Sequence, residues 1–262
     1  MRRSRSGMMP GGLHYTRRGE GPPLVFLRTL SSSEKNPRWI AAAIERWTLR
    51  GAIRTQTVYA VGRPPRLRSG LTMAALADQY ARAIAGTFET PVPVMGFSTS
   101  AGIALQLALD HPELVSRLVI VCGAFRLSGK GKAMQRRYAE RLANRDRAAS
   151  VEMVASAARS AMMHVAVSAA AALTPLPKEP LGLMAMLEAE DHFNLGDRLG
   201  EVAVPTLVVA GGRDPFYPPW LARATAAGLQ HGQFTLYARR RHHQVLSDSR
   251  FEADLQHFLA SA

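Results

Sequence analysis

The distribution of apolar and polar positions along the chain predicts strands and helices in alternation. Short apolar runs bounded by glycine, proline or polar clusters are typical of strands. They occupy residues 13–16, 23–27, 53–61, 92–97, 117–124, 206–211 and 233–237. Apolar residues at helical spacing lie between them, at residues 37–51, 72–86, 99–111, 219–228 and 247–262. This alternation indicates an α/β fold with a mostly parallel central sheet flanked by helices.

The middle of the chain, residues 126–200, departs from this alternation. It contains almost no strand-like run and is rich in Ala, Met, Arg and Lys. Three prolines in the segment 173–182 forbid one continuous helix there. We therefore expect a helical cap over residues 126–200, inserted into an α/β core made of residues 1–125 and 201–262.

The length, hydrophobic content and net charge of the chain limit the classes of protein to which it can belong. The chain has 262 residues, 47% of them hydrophobic, which is enough for a sizeable buried core. Its formal net charge is +13, and such a surface attracts anions at low salt. The basic residues are spread from end to end, without a zinc finger, a recognition helix or an aromatic–basic run. We therefore expect no specific nucleic-acid partner.

The location and redox state follow from what the chain lacks. No run approaches the roughly 18 consecutive apolar residues of a membrane span. No apolar stretch follows the basic start of the chain, so a secretory signal is not indicated. We expect a cytoplasmic protein. The one cysteine, Cys122, excludes an intrachain disulfide and a multi-cysteine metal site, and its place at the end of an apolar run predicts a buried structural thiol.

Candidate catalytic side chains follow three of the predicted strands. Ser98 comes after strand 92–97, Asp214 after strand 206–211, and His242 after strand 233–237. Ligands of open parallel sheets bind beyond the carboxyl ends of the strands. A serine hydroxyl becomes a nucleophile when an imidazole takes its proton and a carboxylate orients that imidazole. The order Ser, Asp, His therefore predicts nucleophilic catalysis.

Each of the three positions has a competitor. Ser100 also lies two residues before a glycine, in "STSAG", although it falls inside the predicted helix. Asp191 and Asp197 are alternatives for the acid, and His243 for the base.

Two segments, "VMGFSTSAGIALQLALDHPELVSRLVIVCGA" and "VPTLVVAGGRDPFYPP", resemble known motifs. They are similar to the nucleophile elbow and the acid-bearing loop of small esterase-like members of the α/β-hydrolase fold superfamily. The resemblance covers nearly the whole chain and is weakest in residues 126–200, where that superfamily has a variable cap. It implies that Ser98 is the nucleophile, Asp214 the acid and His242 the base, with the backbone N–H of Thr99 as one oxyanion donor.

The sequence departs from the family pattern at two places. Ser100 replaces the second glycine of the elbow, where only a small side chain fits. Arg28-Thr29 replaces the His-Gly of the loop after strand 23–27, so the second oxyanion donor is expected to be the N–H of Leu30 or of a neighbouring residue. Arg28 either binds an anionic group of the substrate or points outward as a structural residue. The substrate-binding residues expected here are Arg28, Thr29, Phe97, Phe216 and His243.

The resemblance implies a serine hydrolase that cleaves a carboxylic ester, thioester or lactone of a small molecule through an acyl-enzyme. Neither a cofactor nor a metal is expected. The alternatives are C–C bond hydrolysis or cofactor-free perhydrolysis on the same three residues. A further alternative, of another class, is a non-catalytic ligand-binding relative with an altered oxyanion loop. The sequence indicates neither the natural substrate nor an oligomeric state.

Overall fold

The computed structural model describes residues 5–28, 34–146 and 180–261. Its strands are β1 Arg5–Met9, β2 Leu13–Arg18, β3 Pro23–Leu27, β4 Thr57–Val61, β5 Val92–Phe97, β6 Val115–Val121, β7 Thr206–Gly211 and β8 Gly232–Tyr237. Its α-helices are α1 Trp39–Thr48, α2 Arg50–Thr55, α3 Met73–Ala85, α4 Thr99–Asp110, α5 Gly129–Ala143, α6 Leu181–His192, α7 Pro219–Gly228 and α8 Phe251–Ala260. Short 3₁₀ turns occur at Pro10–Gly12, Pro112–Leu114, Gly196–Glu201 and His242–Gln244.

The strands form one eight-stranded sheet in the order β1-β2-β4-β3-β5-β6-β7-β8. β1 and β2 pair antiparallel at one edge, and β2 is also antiparallel to β4. Every other neighbouring pair is parallel. The predicted fold class, a mostly parallel sheet flanked by helices, is confirmed.

Two segments of the predicted pattern differ in the structure. The strand expected over residues 53–61 begins only at Thr57, because residues 50–55 form α2. Leu49 and Ala52 stand at helical spacing and are buried in the layer that contains α8. β1 was not predicted, since its residues, RSGMM, are mostly exposed and do not form an apolar run. It exists through backbone pairing with β2, which leaves little hydrophobic signal in the sequence.

Apolar side chains pack on both faces of the sheet. On one face, α3, α4, α6 and α7 cover one set of strand residues, and buried residues such as Tyr80 and Ile103 belong to this layer. On the other face, α2 and α8 cover the alternate set, with Phe251 and Phe258 among the buried residues. Along β5, Val94 faces the first layer and Met95 the second, which is the alternation that a strand between two layers requires.

The parallel strands bring three loops to one edge of the sheet. β5, β7 and β8 run in the same direction, so the residues that follow Phe97, Gly211 and Tyr237 lie at the same carboxyl edge. Within the expected cap, the structure describes α5 and α6, whereas residues 147–179 lie outside the described residues. The predicted bounds of the cap therefore stay a prediction. In the part of the chain that is described, no helix has the length and apolar character needed to cross a membrane.

Candidate active site

A sharp turn between β5 and α4 presents Ser98. The residue has φ 58° and ψ −129°. Residues other than glycine rarely adopt this backbone conformation, which stores local strain. Close packing surrounds the turn: a Cβ atom on Gly96 would lie 2.4 Å from the carbonyl oxygen of Ser100, and one on Gly123 would lie 2.2 Å from Ala101 Cβ. The turn leaves Ser98 half-buried at the carboxyl edge of the sheet.

The side chains of Ser98, His242 and Asp214 form a continuous series of hydrogen bonds. His242 Nε2 lies 2.9 Å from Ser98 Oγ, and His242 Nδ1 lies 2.6 Å from Asp214 Oδ2. His242 and Asp214 are buried, at 2% and 5% exposure. Because an ionised carboxylate only accepts hydrogen bonds, Nδ1 carries the proton of a neutral imidazole and Nε2 accepts from the serine hydroxyl. The arrangement can therefore transfer the serine proton to His242.

The loop after β7 holds the Asp214 carboxylate with its own backbone. Asp214 Oδ1 accepts from the N–H of Phe216 at 2.9 Å and from the N–H of Tyr217 at 3.0 Å. Both donors lie within three residues of the acid, in the kind of turn that Asp before Pro favours. Oδ2 remains for the imidazole. The local sequence is thus sufficient to orient the carboxylate toward His242.

Among the residues that the structure describes, four rings lie close to the His242 imidazole. Those of Phe97 and Phe216 lie 5.0 and 5.1 Å away, centroid to centroid, and that of Tyr217 lies nearly parallel at 6.2 Å. His243 meets it edge-on at 4.9 Å. Burial, together with the neighbouring His242, lowers the pKa of His243 to about 3, so this second imidazole is neutral at pH 7. Phe97, Phe216 and His243 contact His242, and their expected role in substrate binding stays a prediction.

Ser100, the competing serine, is fully buried and bonded to the backbone. Its hydroxyl donates to the carbonyl oxygen of Leu27 at 2.6 Å and accepts from the N–H of Phe97 at 3.0 Å. It therefore links the carboxyl ends of β3 and β5. Since His242 is bonded to Ser98, the geometry favours Ser98 as the nucleophile and gives Ser100 a structural role.

One side of the site, where an oxyanion would bind, is described only in part. Thr99 is the first residue of α4, so its backbone N–H has no acceptor within the helix and can serve a ligand. Thr29 and Leu30 lie outside the described residues. The substrate contact expected of Thr29 and the second oxyanion donor expected at Leu30 stay predictions.

Arg28 lies just after β3 and its guanidinium is engaged by protein groups on each nitrogen. Nε and Nη2 pair with the carboxylate of Glu45 on α1. Nη1 donates to Asn36 at 2.9 Å, and Nη2 also donates to Thr16 at 2.8 Å. The residue is buried. These contacts favour the structural interpretation of Arg28 over a contact with substrate.

Asp191 and Asp197, the alternatives for the acid, have other surroundings. Asp191 forms an ion pair with Arg136 at 2.7 Å. Asp197 lies in the 3₁₀ turn Gly196–Glu201. Among these three aspartates, Asp214 is the one whose hydrogen bond to His242 the structure describes.

Cys122 is buried, as predicted, and lies directly after β6. Its thiol donates to the carbonyl oxygen of His242 at 3.2 Å. Burial and the nearby charge of Asp214 raise the pKa of the Cys122 thiol well above its ordinary value, so it stays protonated. Atoms of Cys122, Asp214 and His242 that could ligate a metal ion lie within 4.8 Å of one another. The hydrogen bonds just described account for this proximity.

A second buried carboxylate, which the sequence analysis missed, contacts the turn that presents Ser98. Glu190, near the end of α6, is 2% exposed. Its Oε2 accepts from Thr99 Oγ1 and from Gln135 Nε2, both at 2.6 Å, and its Oε1 accepts from the Tyr217 hydroxyl. Burial raises the pKa of the Glu190 carboxyl, and the three donors act against that rise.

No motif marks this group of four side chains. The partners of Glu190 are 91, 55 and 27 positions away in the chain. The one signal available in the sequence is a glutamate among the apolar residues of "LGLMAMLEAE". Such a glutamate is more simply interpreted as the exposed side of a helix.

The parallel sheet and the serine, histidine and aspartate at its carboxyl edge define the class of molecule: the protein is an α/β-hydrolase. Its fold superposes on the enol-lactonase from Burkholderia xenovorans LB400 with a TM-score of 0.80 at 16% identity, covering 98% of this chain and 100% of that one. It superposes on a thermophilic esterase from Thermogutta terrifontis with a TM-score of 0.73 at 20% identity, covering 98% of each chain. At these identities the likeness shows the fold alone.

Residues 72–250 match the family described as serine aminopeptidase, S33, and the chain belongs to that family of hydrolases. A curated relative is the 2-hydroxy-6-oxononadienedioate/2-hydroxy-6-oxononatrienedioate hydrolase of Paraburkholderia xenovorans (strain LB400). It is 29% identical over 166 residues, which are 58% of this chain and 55% of the relative. The chain thus spans about half the length of this curated relative.

Proposed function

We propose that the protein is a serine hydrolase that cleaves a carboxylic ester, thioester or lactone of a small molecule without a cofactor. The observation that carries the proposal is the series of hydrogen bonds from Ser98 through His242 to Asp214. Ser98 is the nucleophile and His242 the general base. Asp214 keeps the imidazole in the reactive tautomer and stabilises its protonated form.

The reaction proceeds in two halves. His242 takes the proton of Ser98 as Oγ attacks the carbonyl carbon, and the N–H groups of Thr99 and Leu30 donate to the developing oxyanion. The intermediate collapses when the leaving oxygen or sulfur takes the proton from His242, which leaves an acyl-serine. Water then attacks the acyl-serine with His242 again as base. The acid product leaves and the Ser98 hydroxyl is restored.

The surroundings of the three residues support this role. The imidazole is buried between aromatic rings, and the carboxylate is held by two backbone N–H groups and by His242. Such a preorganised, water-poor environment strengthens electrostatic interactions with the charges that develop during the reaction. The strained backbone of Ser98 is a further feature of sites where a side chain must be presented to a ligand.

A second candidate is hydrolysis of a C–C bond next to a ketone. The resemblance to the 2-hydroxy-6-oxononadienedioate hydrolase favours it, because a substrate of that name carries a 6-oxo group and no ester. The same three residues would serve. The two candidates differ in the leaving group, which is an oxygen or sulfur atom in the first and a carbon atom in the second.

A fluorophosphonate probe tests the proposal and separates the two serines. We expect the wild-type protein and Ser100→Ala to be labelled and Ser98→Ala to remain unlabelled, with near-ultraviolet circular dichroism as the check on folding. If the folded wild type takes up no probe, the enzyme proposal fails and the non-catalytic ligand-binding alternative is left.

A substrate panel then separates the two reactions. It contains p-nitrophenyl esters of increasing acyl length, a series of lactones, and a 2-hydroxy-6-oxo-dienoate. Turnover of esters or lactones without turnover of the dienoate supports the first candidate. The reverse pattern supports the second.

A further inference from the structure

Glu190 joins three elements that meet at the candidate active site. Thr99 belongs to the start of α4, Gln135 to α5 and Tyr217 to the loop after β7, and each donates a hydrogen bond to the Glu190 carboxylate. All four side chains are buried, at 4% exposure or less. A buried carboxylate is costly unless it is hydrogen-bonded. A buried carboxylate that needs several hydrogen bonds is therefore held by the residue next to Ser98. None of the reaction steps proposed above uses this carboxylate.

The hydrogen-bond pattern is that of an ionised carboxylate. The amide nitrogen of Gln135 can only donate, so Oε2 must accept from it. Burial, followed by the charge of Glu190, raises the pKa of Tyr217 well above its ordinary value, so its phenol also remains a donor. Although burial raises the pKa of Glu190 itself, three donors favour the charged form.

Glu190 acts on both halves of the site. It holds the side chain of Thr99, whose backbone N–H is the proposed oxyanion donor. Through Tyr217 it holds a residue whose N–H donates to Asp214 and whose ring lies parallel to the imidazole of His242. Glu190 and His242 also interact through charge when the imidazole is protonated, since a positive charge on His242 acts to lower the pKa of Glu190.

We propose that Glu190 is a positioning residue of the hydrolase, whose buried carboxylate fixes Thr99 and Tyr217 and favours positive charge on His242. The inference rests on the proposed function. Glu190 is too buried to meet the substrate, so it acts through its neighbours. Its charge opposes the oxyanion but favours the imidazolium that forms at the same step. The hydrogen bonds to Thr99 and Tyr217 hold the backbone N–H groups of these two residues in position.

Several other ionisable groups face this pair in the described part of the chain. Asp214, Cys122 and His243 lie around His242, and Tyr217 lies between His242 and Glu190. On α5 and α6, Asp191 pairs with Arg136 and accepts from the Lys132 ammonium at its backbone carbonyl. These groups are unchanged in a Glu190→Gln variant, so a difference between the two proteins reports the Glu190 charge.

The test is the pH dependence of fluorophosphonate labelling and of p-nitrophenyl acetate hydrolysis. Both rates require neutral His242, so each falls on the acidic side. Glu190→Gln removes a negative charge near the imidazolium. We expect the acidic midpoint of the rate to move to lower pH, and the rate on the plateau to fall about tenfold, mainly in kcat. A role limited to stability would lower the amount of folded protein and leave the midpoint unchanged.

Two variants control this experiment. Glu188→Gln makes the same change two positions earlier on α6, where the side chain bonds Ser69 and Gly70, and it should leave midpoint and plateau unchanged. Glu190→Asp keeps the charge and should restore the wild-type midpoint. Glu190→Gln is expected to fold, because the hydroxyls of Thr99 and Tyr217 can rotate to accept from the new amide.

Thr99→Val provides a second route should Glu190→Gln fail to fold. It removes one bond to Glu190 while keeping shape and charge, so the plateau rate should fall several-fold at an unchanged midpoint. An unchanged plateau in Thr99→Val, or an unchanged midpoint in folded Glu190→Gln, would overturn the inference alone. A wild type that takes up no probe and hydrolyses no ester would overturn the proposed function, and this inference with it.

Discussion

Asp214 and Glu190 are both buried carboxylates that interact with His242, but the chain holds them in different ways. Asp214 accepts from two N–H groups of its own loop, two and three residues away. In the described part of the chain, Glu190 accepts side-chain hydrogen bonds from residues on three other elements. The first is oriented by a local turn, and the second by the packing of α6 against α4 and α5.

The difference between local and long-range hydrogen bonds suits the different roles that we propose for the two carboxylates. A carboxylate that must meet one imidazole nitrogen gains from a rigid local turn, because its direction then does not depend on distant contacts. A carboxylate that joins separate elements needs a hydrogen-bond donor from each of them, so its position depends on how these elements pack. We therefore expect substitutions at Asp214 to affect catalysis far more than folding, and substitutions around Glu190 to affect both.

The largest effect is expected for Asp214→Asn. Asparagine can still accept from the two backbone N–H groups, so the loop should keep its shape. Its amide favours the wrong tautomer of His242, however, and kcat for an ester substrate should fall about 10⁴-fold. Stopped-flow or steady-state assays with p-nitrophenyl acetate measure the loss. A decrease of less than tenfold in a protein with wild-type thermal stability would count against the role assigned to Asp214.

A smaller effect is expected for Tyr217→Phe. The variant keeps the ring beside His242 and removes the phenol that donates to Glu190. A hydrogen bond to a charged group contributes about 2 kcal/mol, so the free energy of unfolding in urea should decrease by about that amount. Tyr237→Phe is the matched control, because its phenol donates to the only partly buried Asp254 and should cost less. If the free energy of unfolding decreased equally in the two variants, the hydrogen bond to Glu190 would not be stronger than an ordinary one.

The smallest effect is a change in the pH dependence of stability. Because the pKa of Glu190 is raised in the folded state, the folded carboxyl keeps its proton at pH values where the unfolded one has lost it. Its contribution to stability is therefore full below the ordinary value of 4.5 and is lost as the pH rises through the raised value. The melting temperature of the wild type relative to Glu190→Gln should decrease over that range.

The control for this slope is Glu188→Gln. Hydrogen bonds from Ser69 and Gly70 lower the pKa of Glu188, so its contribution is present above the ordinary value and is lost as the pH falls. The two variants should therefore differ from the wild type with opposite slopes. Parallel slopes would mean that Glu190 is not the group responsible.

Much of the fold follows from the chain pattern. The strands at residues 23–27, 92–97 and 206–211 have the bounds that the apolar runs predict. The failures are informative. β1 is an edge strand with little buried surface, so only its pairing with β2 reveals it. Residues 53–55 were predicted to begin a strand, but packing on α8 makes the segment 50–55 helical.

Ser98, Asp214 and His242 could be selected from the sequence because each follows a strand that ends at the same sheet edge. The distances that join them, and the bonds that hold the Ser100 hydroxyl to the backbone of Leu27 and Phe97, required the three-dimensional arrangement. Arg28 shows the opposite case. The sequence left two roles open for it, and the neighbouring Glu45, Asn36 and Thr16 favour the structural one.

The sequence by itself determined the α/β class and the order in which a serine, an aspartate and a histidine follow three strands, since hydrophobic period and the turn after each strand are local properties. Only the tertiary structure decided which carboxylates reach His242 and how Glu190 is satisfied. Its donors are far apart in the chain, and no local propensity encodes the packing of α4, α5, α6 and the loop after β7 around one buried charge.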